Sequence, residues 1–208
     1  AFVGKSGLVY PKFSVERHVP LKHPWAWADS VRRVAGIDFG GGDPTAIAVL
    51  GLSGRHHVHQ FGEFYKRGPV AVEELAAFLS KWPGPGTALC DPSEPVAIET
   101  LARAMRNSGW IVKAADNRRG EGLSFVAWLL ESDRLTISAD CVNGIAEFPG
   151  YRWAQRTDPN DKTRFATSTP VGNHADEMDA RRFALLELMN VIRGVDYRPI
   201  TLTGRRPS

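Results

Sequence analysis

Val34-Ala35-Gly36-Ile37-Asp38-Phe39-Gly40-Gly41-Gly42-Asp43-Pro44-Thr45-Ala46-Ile47-Ala48-Val49-Leu50 is the stretch on which the reading of this chain turns. An apolar run enters, one carboxylate interrupts it, a Gly/Asp/Pro turn follows, and a second β-branched apolar run leaves. The pattern predicts a β-hairpin with strands over 34–39 and 45–50 and a single acid on the first strand. Aspartate is a poor strand former and is rarely buried without a partner. Asp38 is therefore either a structural acid satisfied by backbone amides or a group that holds a cation or a phosphate.

Downstream, the turn at Ser53-Gly54 leads to a third strand over 56–64, and three strands joined by short turns make an antiparallel meander. His57 and His59 share one face of that strand and form a candidate metal pair. No cysteine or further histidine with ligand spacing accompanies them, so solvent-facing strand histidines are the expectation. The period then changes. Val72, Leu75, Ala76 and Leu79 mark a helix over 70–80, stopped by Pro83-Gly84-Pro85-Gly86. A short buried strand at 87–90 ends on Asp91-Pro92, a second helix spans 95–107, a fifth strand covers 110–112, and 122–130 belongs to a third helix. A meander followed by alternating helix and strand predicts a mixed α/β layer architecture.

Beyond this core come a short strand at 134–138 and a helix over 142–148. An added β-hairpin over 150–168 follows, basic and aromatic at its base through Arg152, Trp153, Arg156, Lys162 and Arg164. The last strong helix spans 173–192, with Asn173 as its N-cap. Upstream, residues 1–33 read as an arm anchored by Trp25 and Trp27, in which Leu8-Val9-Tyr10 could add an edge strand. Gly4-Lys5-Ser6 looks like the end of a Walker A loop, but it lacks the upstream glycine, the leading strand and the following helix, and reads as a basic turn. The expected organisation is an arm at 1–33, one domain at 34–193 and a loosely ordered tail at 194–208.

Composition agrees with one well-filled globular domain: 208 residues, 43% hydrophobic and 24% charged. No apolar run approaches the roughly 20 residues of a membrane span, so no membrane partner is expected. Cys90 and Cys141 give neither a disulfide framework nor zinc spacing, which predicts free thiols in a reducing cytoplasm. The net charge of +3 permits a polyanionic partner without demanding one. The chain opens on Ala and a connection-like arm, from which we expect a piece of a longer protein.

Acids now stand in three places where propensity would not put them. Asp38 lies inside strand one, Asp91 ends strand four, and Asp176 and Asp179 are three apart near the start of the last helix. If strand four pairs with strand one, Asp38 and Asp91 become neighbours, and a helix packed across that edge brings Asp179 to them. Like charges at ~4 Å in an effective dielectric of ~20 cost on the order of 4 kcal/mol per pair. Such a cluster takes up protons or binds a cation, and oxygen-only ligation selects Mg²⁺ or Mn²⁺. Two such ions can drive phosphodiester hydrolysis. The bland reading of each acid is a cap, a turn or an ion pair with Arg181, Arg182 or Arg103. It is as good as the functional one for Asp176 and weaker for Asp38 and Asp91, which interrupt buried strands.

Taken in order, Gly7-Leu8-Val9-Tyr10, Gly36-Ile37-Asp38-Phe39-Gly40, Asp43-Pro44-Thr45-Ala46, Leu89-Cys90-Asp91, Leu135-Thr136-Ile137-Ser138 and the run from His174 to Ala184 resemble the nuclease domain of large terminase subunits, the DNA-packaging motors of tailed bacteriophages. The resemblance covers essentially the whole chain. It implies a ribonuclease H-like fold, with a mixed central sheet flanked by helices, and a metal-dependent endonuclease that cuts concatemeric double-stranded DNA during genome packaging. Its catalytic acids fall on Asp38, Asp91 and Asp179, with Asp176 as a fourth metal ligand. Asp179-Ala180-Arg181-Arg182-Phe183-Ala184 keeps the family's last motif with Phe in place of Tyr. Two Mg²⁺ or Mn²⁺ ions are implied and no ATP in this piece. The implied partners are double-stranded DNA, an ATPase domain of the same polypeptide, the portal protein and the small terminase subunit, in the cytoplasm of the infected bacterial host. Arg152, Arg156, Lys162 and Arg164 are the candidate phosphate contacts; a solvated hairpin surface is the bland alternative.

Three other readings stand beside this one. An actin-like or sugar-kinase ATPase shares the Ile-Asp-Phe-Gly-Gly-Gly strand but needs a second glycine-rich loop and a longer chain. A junction resolvase or other ribonuclease H-like nuclease shares the acid geometry and differs in substrate. A non-catalytic DNA- or protein-docking module would make the acids structural.

Overall fold

In the computed structural model, which describes residues 7–157, 164–171, 175–192 and 194, a short helix α1 (Val15–His18) precedes the predicted meander. The meander is β1 (Arg32–Asp38), β2 (Thr45–Leu52) and β3 (Val58–Lys66), paired antiparallel throughout. There follow α2 (Val72–Leu79), β4 (Gly86–Cys90), α3 (Pro95–Ala104), β5 (Trp110–Ala114), α4 (Arg119–Glu131), β6 (Leu135–Ile137) and α5 (Val142–Glu147). The hairpin β7 (Arg152–Thr157) and β8 (Arg164–Val171) and the long α6 (Asp176–Ile192) complete the order. Six strands form one mixed sheet in the order β5-β4-β1-β2-β3-β6, in which β4 runs parallel to β1, β5 to β4 and β6 to β3.

Period-two alternation sorts the side chains onto two faces. Ala35, Ile37, Ile47, Val49, Ala88 and Cys90 build one core with Leu75 and Leu79 of α2 and Leu101 of α3. Val34, Ala46, Ala48, Leu50 and Leu89 build the other with α4 and α6 and with Cys141. Each fully buried aliphatic side chain contributes about 1.5–3 kcal/mol, so a one-residue slip of β1 would exchange its two apolar sets and is strongly opposed. Both thiols are free and fully buried, one in each core.

The close seat of α6 on β1 positions the candidate site. A Cβ at Gly36 would stand 1.7 Å from the Ala180 carbonyl oxygen and 2.9 Å from the Ala184 nitrogen, so the helix backbone rests directly on the strand. Glycine on the strand and alanines on the helix are what permit that approach.

Several expectations change in detail. α4 begins three residues before 122, and β8 extends past 168 to Val171, because its Val171 and Pro170 still pair with Arg152 and Trp153. Of the two histidines expected on one face of the third strand, His57 falls before β3 and only His59 lies on it. His57 is exposed, whereas His59 is fully buried between Thr136 Oγ1 at 2.8 Å and His23 Nδ1 at 2.8 Å, where burial pushes its pKa down to about 3. Gly7 and Val9 bond to Trp153 and Tyr151 of the β7 segment, and Val9, Tyr10 and His18 are buried. The predicted Asn173 cap, Lys162 and the tail from 195 lie outside the described residues, as do the side chains of Arg156 and Arg164. No helix among the described residues is long and apolar enough to cross a membrane.

Candidate active site

Parallel pairing of β1 with β4 sets Ile37 opposite Cys90, and the Asp91 amide donates to the Ile37 carbonyl at 2.9 Å. Asp38 and Asp91 are thereby the next residues out on adjacent strands, at the carboxyl ends of β1 and β4. Both share the face that carries α6. Helix α6, seated on Gly36, starts at this edge and carries Asp176 and Asp179 on its first turn. The glycine turn after β1 closes beside them: Gly40 N–H donates to Thr45 Oγ1 at 2.9 Å, and a side chain at Gly40 would collide with the Asp43 carbonyl.

The electrostatics follow from that gathering. Asp38 is pushed up to about 8, first by burial and then by the charges of Asp179, Asp91 and Asp176, with Arg182 opposing. The other carboxylates are each engaged. Asp91 Oδ1 accepts from the Ser93 amide at 2.9 Å. Asp179 accepts from Arg182 Nε at 3.0 Å and from Arg119 Nη2 at 3.5 Å. Tyr65 O–H donates to Asp176 Oδ2 at 3.4 Å, and burial raises that phenol. Thus Arg182 is the ion-pair partner expected for these acids, whereas Arg181 faces Glu177 and Arg103 pairs with Glu99.

The donor set suits a hard divalent cation in kind, being all oxygen, and the protonation forced on Asp38 is the sign of a negative potential that a cation would relieve. Among the described residues, no group of three or more acids, histidines and cysteines stands close enough to enclose an ion as the side chains now lie. A cation therefore binds here only once the carboxylates close further on one another. Of the basic hairpin residues, Arg152 is exposed on β7.

Some residues that shape the site were not read from the sequence. Glu147, at the end of α5, accepts from the Met178 and Glu177 amides at 2.9 and 3.3 Å, and so caps α6 from another helix. Burial pushes Glu147 up to about 7. Beneath it Gln60, Glu177 and Arg181 are wholly buried and bonded together, with Arg181 Nε donating to Gln60 Oε1 at 2.7 Å and its guanidinium 4.9 Å above the Phe148 ring. The Gln60 contacts span more than a hundred positions and those of Glu147 about thirty, and neither leaves a local signal. Arg119 did leave one. It follows β5, whose carboxyl end lies beside that of β4, and loops at neighbouring parallel-strand ends gather at one edge.

No protein-family profile and no curated protein matches the chain. Solved structures do. The large terminase of a thermophilic bacteriophage superposes with a TM-score of 0.69 at 20% identity, over 88% of this chain and 45% of that one. The P22 large terminase nuclease domain gives 0.65 at 18%, over 90% and 98%. The SPP1 large terminase nuclease domain, with bound Mn, gives 0.59 at 24%, over 77% and 89%. The chain spans less than half the length of the thermophilic phage terminase. Its fold is that of the large terminase nuclease domains: a mixed six-stranded sheet between helices, ribonuclease H-like.

Proposed function

We propose that this chain is the metal-dependent nuclease part of a phage DNA-packaging motor, an endonuclease that cuts concatemeric double-stranded DNA. The observation that carries the reading is Asp38, half-buried at the end of β1 with Asp91, Asp179 and Asp176 all raising its proton affinity. Asp38 would stand between two cations, Asp91 would hold one, and Asp179 with Asp176 the other, with Mg²⁺ or Mn²⁺ as the ions. The Mn bound by the SPP1 domain supports that choice. Bound there, the cations would activate a water and stabilise the departing oxygen of a phosphodiester.

The chain's own residues supply positioning. The Ser93 amide orients Asp91, Arg182 orients Asp179, and Glu147 fixes the first turn of α6. Tyr10 and Tyr151, buried with ring centroids 5.7 Å apart, form an apolar wall beside Asp179, and burial raises both phenols, so they stay neutral. Arg152, Arg156, Lys162 and Arg164 would contact phosphates along the duplex, which positions it without reading sequence. An ATPase domain of the same polypeptide, the portal and the small subunit would be the partners, in the cytoplasm of the infected host.

The test is plasmid cleavage by the wild-type chain and by Asp38→Ala in Mg²⁺, Mn²⁺ and EDTA. Cleavage is expected only with metal and is lost by at least about a hundredfold in the variant, the scale of losing a transition-state electrostatic contact. Folded wild-type chain that binds neither metal nor DNA would refute the reading.

A further inference from the structure

Arg119 and Arg182 hold Asp179 of the carboxylate cluster, a third arginine, Arg118, stands next to Arg119 before α4, and their circumstances differ. Arg118 is tied to Asp116 at 2.6 Å and to Glu121 at 2.8 Å. Arg182 is 3% exposed and is fixed from two sides, by Asp179 at 3.0 Å and by Asn117 Oδ1 at 3.2 Å, with its guanidinium stacked 4.4 Å from the Phe183 ring centroid. Arg119 is unlike both. It stands at the first position of α4, its side chain is 44% exposed as Arg118's is, it reaches the Tyr151 hydroxyl, and its contact with Asp179 is the long one at 3.5 Å. The two arginines hold different oxygens of Asp179, Arg182 on Oδ1 and Arg119 on Oδ2.

A cation that takes Asp179 must compete for those oxygens. The weaker and more exposed partner gives way first, because a guanidinium at 3.5 Å on the surface forfeits little and regains water, whereas a buried one would be stranded without a partner. Arg119 would then be a full positive charge at the rim of the site, on the solvent side of the acids and next to the exposed amino end of α4, where backbone N–H groups also favour an anion.

We infer that Arg119 is a phosphate-contacting residue held in reserve. It neutralises Asp179 while the site lacks metal, is released when a divalent cation takes that carboxylate, and then grips a phosphate of the bound DNA strand next to the site of cleavage. The inference rests on the nuclease reading above and adds an order of events: metal first, then the Arg119 grip.

The prediction has two signs, which a merely structural arginine would not produce. In Arg119→Ala, Asp179 loses a competitor of the cation, so Mn²⁺ measured without DNA by isothermal titration should bind several-fold tighter than in the wild-type chain. Duplex binding, followed by fluorescence anisotropy across a salt series with Ca²⁺, should instead weaken. Its slope of log affinity against log salt should become shallower by about 0.9, one phosphate contact. In EDTA the wild-type chain and the alanine variant should bind duplex alike, since Arg119 is then occupied by Asp179. Arg119→Lys, which keeps the charge, should restore most of the salt slope. Weaker Mn²⁺ binding in Arg119→Ala, or an unchanged salt slope with Ca²⁺, overturns the inference while leaving the nuclease reading intact. A folded wild-type chain that binds neither Mn²⁺ nor duplex overturns both.

Discussion

Asp38 ties folding to pH. Its carboxyl, ordinarily near 3.8, keeps its proton up to about pH 8 in the folded chain. Between those values the native state binds a proton that the unfolded chain does not, so this group's contribution to stability is full below about pH 4 and is lost as pH rises towards 8. Asp38→Asn removes that loss. In EDTA the variant should match the wild type at pH 4 and exceed it at pH 8 by several kcal/mol, at about 1.4 kcal/mol for each pH unit between the two values, read from thermal or denaturant unfolding. Mn²⁺ should raise the wild-type melting temperature at pH 8 and leave the Asn variant nearly unmoved. Asp38 and Asp91 were legible in the sequence because each interrupts an apolar run, and an acid in a buried strand demands a reason. Glu147 and Tyr65 were not, because each acquires its role from a partner on another element, whereas Arg119 could have been found from its place after β5. The pairing of Gln60 with Glu177 across 117 positions is beyond any local pattern.

At the level of elements, α6 owes its place to what is missing from β1. A side chain at Gly36 would drive into the Ala180 carbonyl, so Gly36→Val should cost about 3 kcal/mol or more and lift the helix that carries Asp176 and Asp179. Metal affinity should fall further than the lost stability alone accounts for, which titration of the folded fraction would show. Glu147→Ala withdraws the acceptor from two amides at the start of α6 and should cost about 1 kcal/mol, with a matching loss of metal affinity. The meander, the alternating helices and strands and the hairpin were readable from period and turn residues. Element ends moved by a few residues, as at α4 and β8, where capping and cross-strand pairing decide the boundary. Helix α6 buries Glu177 and Arg181 together with its apolar residues. Layers around that helix, β1 beneath and α4 and α5 beside it, keep Glu177 and Arg181 from solvent, and charge compensation takes the place of exposure for these two.

For the molecule as a whole, the sheet is a partition. Its carboxyl edge at β1, β4 and β5 gathers every acid of the candidate site, so the local chemistry depends on strand order, which alternating pattern alone leaves open and which the pairing of β4 with β1 decides. The same partition seals one thiol on each side: Cys90 with α2 and α3, Cys141 with α4, α5 and α6. Burial raises both thiols, Cys90 up to about 12, so neither offers thiolate to a reagent until its own side of the sheet opens. Each cysteine is thus a built-in clock for one half of the protein. In single-cysteine variants, the rate of reaction with an aromatic disulfide under native conditions measures how often that half breathes. Cys90, in the smaller of the two cores, should react first, and a metal that clasps Asp91 to Asp38 should slow that clock while leaving the one at Cys141 to run at its own pace.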